Sequence, residues 1–105
     1  MKFGLDDIII EKITQVFDQF PQIKEVIIYG SRAMGNYKEA SDIDLALIGD
    51  NLHLSDLNQL TLALDDLLLP YLLDVSIYSQ IKNDDLLDHI NRNGKLFYTP
   101  VKQVI

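Results

Sequence analysis

The stretch that decides the fold is IIYGSRAMGNYKEASDIDLALIGD, residues 27–50. It runs from one apolar segment to another through Gly30 and Ser31, and the second apolar segment carries Asp42 and Asp44, separated by one residue. Two like unit charges about 4 Å apart repel by about 4 kcal/mol even at an effective dielectric of about 20. Carboxylates inside an otherwise apolar strand therefore indicate a compensating cation.

The pattern around the two aspartates is typical of a half-buried strand. Ile43, Leu45 and Leu47 alternate with Asp42 and Asp44, so the apolar and acidic side chains would lie on opposite faces. Residues two apart on a strand have Cα atoms about 7 Å apart, so both carboxylates can bind at the same metal site. Oxygen ligands of this kind favour hard cations such as Mg²⁺, which usually completes its shell with water and substrate phosphates.

Gly30 and Ser31 lie where the preceding strand gives way to SRAMG, a predicted helical turn. Glycine lets the backbone approach an oxyanion, and free N–H groups at a helix start donate to it. Ser31 adds a hydroxyl donor, and Arg32 is long enough to reach a terminal phosphate as a two-pronged donor. This junction is therefore predicted to bind phosphate.

Apolar periodicity predicts the remaining elements around this motif. Three helices are predicted: one over 5–20 ended by Pro21, one capped by Ser55 and stopped by Pro70, and one capped by Asn83 and closed by a left-handed Gly94. Two further strands are predicted, at KEVIIYG (24–30) and at YLLDVSIYS (71–79). The tail KLFYTPVKQVI (95–105) is predicted to add a short extended piece. This order predicts one α/β or α+β domain over residues 1–105, with a single sheet covered by helices.

A third acid, Asp74, falls on the later strand. If that strand neighbours the one carrying Asp42 and Asp44, the three carboxylates converge. Three acids with two Mg²⁺ ions about 3.5–4 Å apart form the kind of site that performs in-line phosphoryl and nucleotidyl transfer.

Composition limits the partners and the compartment. The 105 residues carry a formal net charge of −7 and no Lys/Arg cluster, so long nucleic acid is not expected as a substrate. No apolar run is long enough for a membrane span, and aspartates interrupt the start before a signal-peptide core develops. Together with the absence of cysteine, this predicts a cytoplasmic protein.

The segment GSRAMGNYKEASDIDLALIG resembles the signature of the minimal nucleotidyltransferases of the DNA polymerase beta superfamily: Gly-Ser, ten residues, then Asp-x-Asp. The resemblance covers about residues 24–78, and LLDVSIY is similar to the family's third strand with its acid. Met34 stands where many relatives carry an arginine, a departure that leaves one extra phosphate contact without its donor.

The resemblance implies a small mixed sheet backed by helices, ATP as nucleotidyl donor, two Mg²⁺ ions held by Asp42, Asp44 and Asp74 as catalytic residues, and nucleotide binding through Gly30, Ser31 and Arg32. Stand-alone relatives are commonly paired with a HEPN-domain protein, and some act as antitoxins that transfer AMP to a tyrosine of that partner. Transfer to a small molecule such as an aminoglycoside and a binding-only antitoxin that acts by contact remain as alternatives.

Two further features bear on partners. The segment LTLALDDLLLPYLL is wider than one helical stripe, with Leu62 and Leu69 off the main face, which predicts association with a partner or with a second copy. His53 and His89 have no partner at metal or catalytic-triad spacing, and we interpret them as surface or interface residues.

Overall fold

Four strands form one mixed sheet, and the computed structural model describes it within residues 1–100. In chain order the elements are α1 (Asp7–Phe17), β1 (Ile23–Tyr29), α2 (Ser31–Met34), β2 (Ile43–Gly49), α3 (Leu54–Asp65), β3 (Leu73–Ile77), a 3-10 turn (Tyr78–Gln80), α4 (Asp84–Asn93) and β4 (Lys95–Tyr98). The predicted fold class and element order are confirmed. The rest of the predicted extended tail, residues 101–105, lies outside the described residues.

The strand order is β3-β2-β1-β4. β1 pairs antiparallel with both β2 and β4, whereas β2 and β3 run parallel and are joined through α3. A parallel pair needs such a crossover because its second strand must restart at the same end of the sheet. This topology brings the acidic residues of β2 and β3 to neighbouring positions.

The sheet has one large apolar face and one smaller one. The apolar residues of β2 that were predicted to face inward, Ile43, Leu45 and Leu47, are buried in the main core together with α1 and α3. On the opposite face, α4 packs Ile90 against Tyr29 and Ala46. Because the second face carries only this small apolar cluster, its remaining positions are free to hold polar groups.

Several predicted helix ends differ from the structure, and α3 ends at Asp65 instead of continuing to Pro70. α1 stops at Phe17 instead of continuing to residue 20, and α3 is preceded by His53, whose backbone N–H donates to the Asp56 carboxylate, instead of by Ser55. Gly94 is extended (φ −65°, ψ 148°) and not left-handed. A Cβ at Gly94 would collide with the Ile90 carbonyl oxygen, so glycine is required there for a close approach of α4.

Among residues 1–100, no helix is both long and apolar enough to cross a membrane.

Candidate functional site

The register of β2 and β3 places Asp44 directly opposite Asp74. Residues opposite each other on neighbouring strands project from the same face, about 4.8 Å apart along the sheet. Asp42 precedes Asp44 by two residues and is exposed at the start of β2. The predicted condition for convergence, that the strand of Asp74 neighbours the strand of Asp44, is met.

The charges around Asp44 are not balanced by a protein cation. Burial raises the pKa of the half-buried Asp44 carboxyl above its ordinary value, the Asp74 and Asp42 carboxylates raise it further, and His89 opposes the shift. The ion pairs found within residues 1–100 involve Asp7, Asp50 and Asp88, and none involves Asp42, Asp44 or Asp74. Within residues 1–100, the negative charges of Asp42, Asp44 and Asp74 are therefore not compensated by an ion pair.

The donor set suits a hard divalent cation, although the protein alone does not complete a site. In the part of the chain that the structure describes, no group of three or more His, Asp or Glu side chains is placed to hold a metal ion by itself. Mg²⁺ is usually bound through one or two carboxylates plus water and substrate phosphates. Facing carboxylates with an elevated pKa at Asp44 therefore fit a metal that arrives with a nucleotide.

The Gly30 turn lies against the acidic row, by which we mean Asp42, Asp44 and Asp74. Tyr29 is the register partner of Asp44, so Gly30 follows directly at the end of β1. Gly30 has φ 73° and ψ −156°, a region that essentially only glycine adopts, and a Cβ added there would collide with the Asp44 carboxylate oxygen. The backbone conformation requires glycine, and a Cβ would also force the Asp44 side chain to move; Ser31 begins α2 beside it.

Sequence reasoning missed His89. The Gly30 N–H donates a hydrogen bond of 3.0 Å to Nε2 of His89, and the imidazole packs edge-on against Tyr29 with ring centroids 6.1 Å apart. His89 was interpreted as a surface or interface residue with no role at a site, whereas its ring is partly buried beside Gly30 and Tyr29. Its position next to Ile90 and three residues after Leu86, on the inward stripe of α4, was the available signal.

The structure also corrects Arg32. Its side chain is only 2% exposed, and its guanidinium donates to the backbone carbonyls of Phe3, Glu39 and Ser41 at 2.9–3.1 Å. The same group lies over the rings of Tyr37 and Tyr71, 5.3 and 4.9 Å from their centroids. With its donors committed to carbonyl oxygens, Arg32 ties the loop before Asp42 to the N-terminal segment and does not reach a phosphate.

Tyr29 completes the row across the sheet. It stands opposite Asp44, which in turn stands opposite Asp74. Burial raises the pKa of the Tyr29 hydroxyl, and the Asp74 and Asp44 carboxylates raise it further. Tyr29 therefore stays a neutral phenol that closes one side of the acidic row.

Comparison with known proteins identifies the fold and a family. The family profile described as "Polymerase beta, Nucleotidyltransferase" matches residues 11–103. No curated protein sequence shows significant similarity to the chain.

Solved structures share the fold at low sequence identity. A toxin-antitoxin crystal structure with AMP-PNP aligns with a TM-score of 0.69 at 22% identity, over 87% of this chain and 73% of that one. The toxin-antitoxin MntA-HpeT, as a mutant with two Asp-to-Glu substitutions, aligns at 0.65 and 18% identity, over 91% and 75%. A putative nucleotidyltransferase from Sulfolobus solfataricus aligns at 0.55 and 23% identity, over 86% and 76%.

Proposed function

The chain belongs to the polymerase beta nucleotidyltransferase family, and from this premise we propose that it transfers AMP from ATP to a hydroxyl group of a partner protein. The observation that carries the proposal is the facing pair Asp44 and Asp74 beside the Gly30 turn. It joins uncompensated carboxylates to a backbone segment that only glycine can form. Nucleotidyl transfer needs this combination because a metal-bound triphosphate must lie against both.

Each residue of the site has a proposed role. Asp42, Asp44 and Asp74 would hold two Mg²⁺ ions, and Ser31 would donate its hydroxyl to the triphosphate. When bound, the divalent ions would neutralise charge and lower the pKa of the attacking hydroxyl. Arg32 has no direct role, since its donors are already used by backbone carbonyls.

The transfer step follows from these positions. The acceptor hydroxyl oxygen forms a bond to the α-phosphorus of ATP, and the bond from that phosphorus to the bridging oxygen of the β-phosphate breaks in line. Asp74 accepts the proton of the hydroxyl, and pyrophosphate leaves with the bonding electron pair. Because the exposed Asp74 lies on an edge strand, a protein acceptor has room to approach it.

We propose that the acceptor is the toxin of a toxin-antitoxin pair, a HEPN-domain protein, and that this chain is its antitoxin. Two of the structural relatives are described as toxin-antitoxin complexes, one of them with AMP-PNP, an adenine nucleotide. Leu62, Leu68 and Leu72 are 66%, 88% and 75% exposed near the end of α3 and the approach to β3, and they form the proposed contact surface. Because the donor is ATP, the proposed place of action is the cytoplasm.

The experiment is transfer of label from α-³²P-ATP. The purified chain, its candidate HEPN partner and Mg²⁺ are incubated, and label on the partner is measured after denaturing electrophoresis. Wild type should label the partner, whereas Asp42→Ala, Asp44→Ala and added EDTA should abolish labelling. Asp50→Asn, an exposed acid just after the end of β2 that is remote from Asp42, is the matched control and should label like wild type.

Two results would contradict the proposed chemistry. Labelling that survives both Asp42→Ala and Asp44→Ala would refute the catalytic assignment. A tight complex with no labelling by wild type would instead support neutralisation by contact alone.

A further inference from the structure

One backbone donor of the site finds its partner outside the sheet. The register of β1 with β2 ends at Tyr29, one residue before Gly30. The Gly30 N–H therefore points to no strand, and it donates to Nε2 of His89 on α4 at 3.0 Å. A partly buried N–H without an acceptor would be unfavourable by about 1–3 kcal/mol, so His89 has a defined structural task.

We propose that His89 is a positioning residue of the nucleotide site, which holds the Gly30 turn against the Asp44 carboxylate in the conformation that receives the triphosphate. The inference rests on the proposed function, in which this turn contacts the nucleotide. His89 acts through Gly30 and does not touch the reacting atoms.

The turn needs such support because its backbone conformation is sparsely populated. A residue with the φ and ψ of Gly30 keeps them only where its surroundings determine the conformation. The hydrogen bond from the Gly30 N–H fixes the plane of the peptide between Tyr29 and Gly30, while Asp44 limits the space on the side where a Cβ would be. His89 and Asp44 together therefore define where Ser31 begins α2.

The imidazole is itself held in one orientation. The ring packs edge-on against Tyr29 at an interplanar angle of 77°. The neighbouring Ile90 is buried with Tyr29 and Ala46. A neutral imidazole that accepts at Nε2 carries its proton on Nδ1. The side-chain nitrogen of Asn93 lies 3.2 Å from Nδ1. Rotating this amide by 180° brings its oxygen to the Nδ1 proton, and this is the orientation that a hydrogen bond from Nδ1 requires.

This arrangement has a consequence for phosphate binding. Gly30 was predicted to bind the phosphate, yet its N–H is already bound to His89. The donors that remain for a phosphate include the hydroxyl and the N–H of Ser31, whose position depends on the turn. Loss of His89 should therefore weaken nucleotide binding, whereas a group that merely competed with phosphate for Gly30 would strengthen binding when removed.

The test compares three variants of the full chain. His89→Phe keeps an aromatic ring against Tyr29 and removes the acceptor, whereas His89→Gln offers an amide oxygen in its place. His53→Gln, at the exposed start of α3, is the matched histidine control. Binding of ATP with Mg²⁺ is measured by calorimetry, and amide hydrogen exchange of Gly30 is measured by NMR without nucleotide.

The expected result is a rise of about tenfold in the dissociation constant for ATP in His89→Phe, which corresponds to about 1.4 kcal/mol, with recovery to within about threefold in His89→Gln. Gly30 exchange should be about tenfold faster in His89→Phe than in wild type, and close to wild type in His53→Gln.

Tighter or unchanged ATP binding by His89→Phe, or His89→Gln binding as weakly as His89→Phe, would overturn the inference. If wild type bound no ATP, the proposed function and the positioning role in nucleotide binding would fail. Gly30 exchange would then still decide separately whether His89 holds the turn.

Discussion

Replacing Asp44 by Asn should stabilise the metal-free fold while it removes metal binding. The substitution keeps the shape of the side chain, and among residues 1–100 no protein hydrogen bond to the Asp44 carboxylate is lost. What disappears is the like-charge repulsion that, after burial, raises the pKa of Asp44. A functional site that is destabilising when empty should become more stable once its charge is removed.

The magnitude follows from the register. Asp44 and Asp74 face each other across neighbouring strands, so their charges lie about 5 Å apart and repel by about 3 kcal/mol at an effective dielectric of about 20. Asp74 is exposed, and screening by water reduces this to about 1 kcal/mol. For a domain of this size, Asp44→Asn should therefore raise the melting temperature by about 4 °C.

The assay is thermal unfolding in EDTA at neutral pH and low salt, repeated with Mg²⁺. Because the folded-state pKa of Asp44 is raised, its ionisation lowers stability as the pH rises through that value, so the advantage of Asp44→Asn should vanish below about pH 4. Mg²⁺ at about ten times its dissociation constant should stabilise wild type by about 1.4 kcal/mol and the variant little. Asp65→Asn, an exposed acid at the end of α3, should behave like wild type. If the variant melted below wild type in EDTA, Asp44 would not be repelled by Asp74, and if Mg²⁺ stabilised both proteins equally, Asp44 would not be a metal ligand.

Three other substitutions test neighbouring parts of the structure. Gly30→Ala should lower the free energy of unfolding by about 2 kcal/mol or more and abolish ATP binding. Gly35→Ala, at φ 85° with open space around it, should lower the free energy of unfolding by about 1 kcal/mol and bind ATP normally. Equal effects of the two variants in urea titrations would contradict this difference. Arg32→Met should lower the free energy of unfolding by about 3 kcal/mol in the same titrations, and Arg32→Lys should not restore it. If Arg32→Met were stable and had lost only affinity for ATP, Arg32 would be a phosphate ligand after all. Burial and the 2.5 Å hydrogen bond to Asp18 raise the pKa of Tyr98 to about 12. The fold should therefore lose stability as the pH rises from about 10 through 12, and Tyr98→Phe should lessen that loss. An identical decline in Tyr98→Phe would disprove the contribution of Tyr98.

The sequence was sufficient to predict the strands and the acidic motif, because period-two alternation at Asp42–Leu47 reports directly which side chains share a face. It was not sufficient to predict that β3 lies parallel to β2 with Asp74 opposite Asp44, since periodicity carries no information on strand order or register. The resemblance to a family supplied only the expectation of a mixed sheet in which Asp42, Asp44 and Asp74 bind the same metals.

Arg32 and His89 show what a single sequence leaves undetermined. Arg32, the charged residue after Gly-Ser, was predicted to face a phosphate. Backbone carbonyls of the N-terminal segment and of the loop before β2 accept its hydrogen bonds instead, and no local pattern reveals them. His89 contacts a residue 59 positions earlier in the chain. Both contacts depend on how separate elements pack, which is where sequence periodicity stops being informative.

The most direct test of the central claim is a crystal structure of the chain with Mn²⁺ and AMP-PNP, in which the metal is located by its anomalous scattering. We expect metal peaks about 2.1 Å from carboxylate oxygens of Asp42 and Asp44, with the triphosphate beside Ser31 and with Asp74 on the same side. Metal bound at other acids, or a nucleotide seated away from the Gly30 turn, would contradict it.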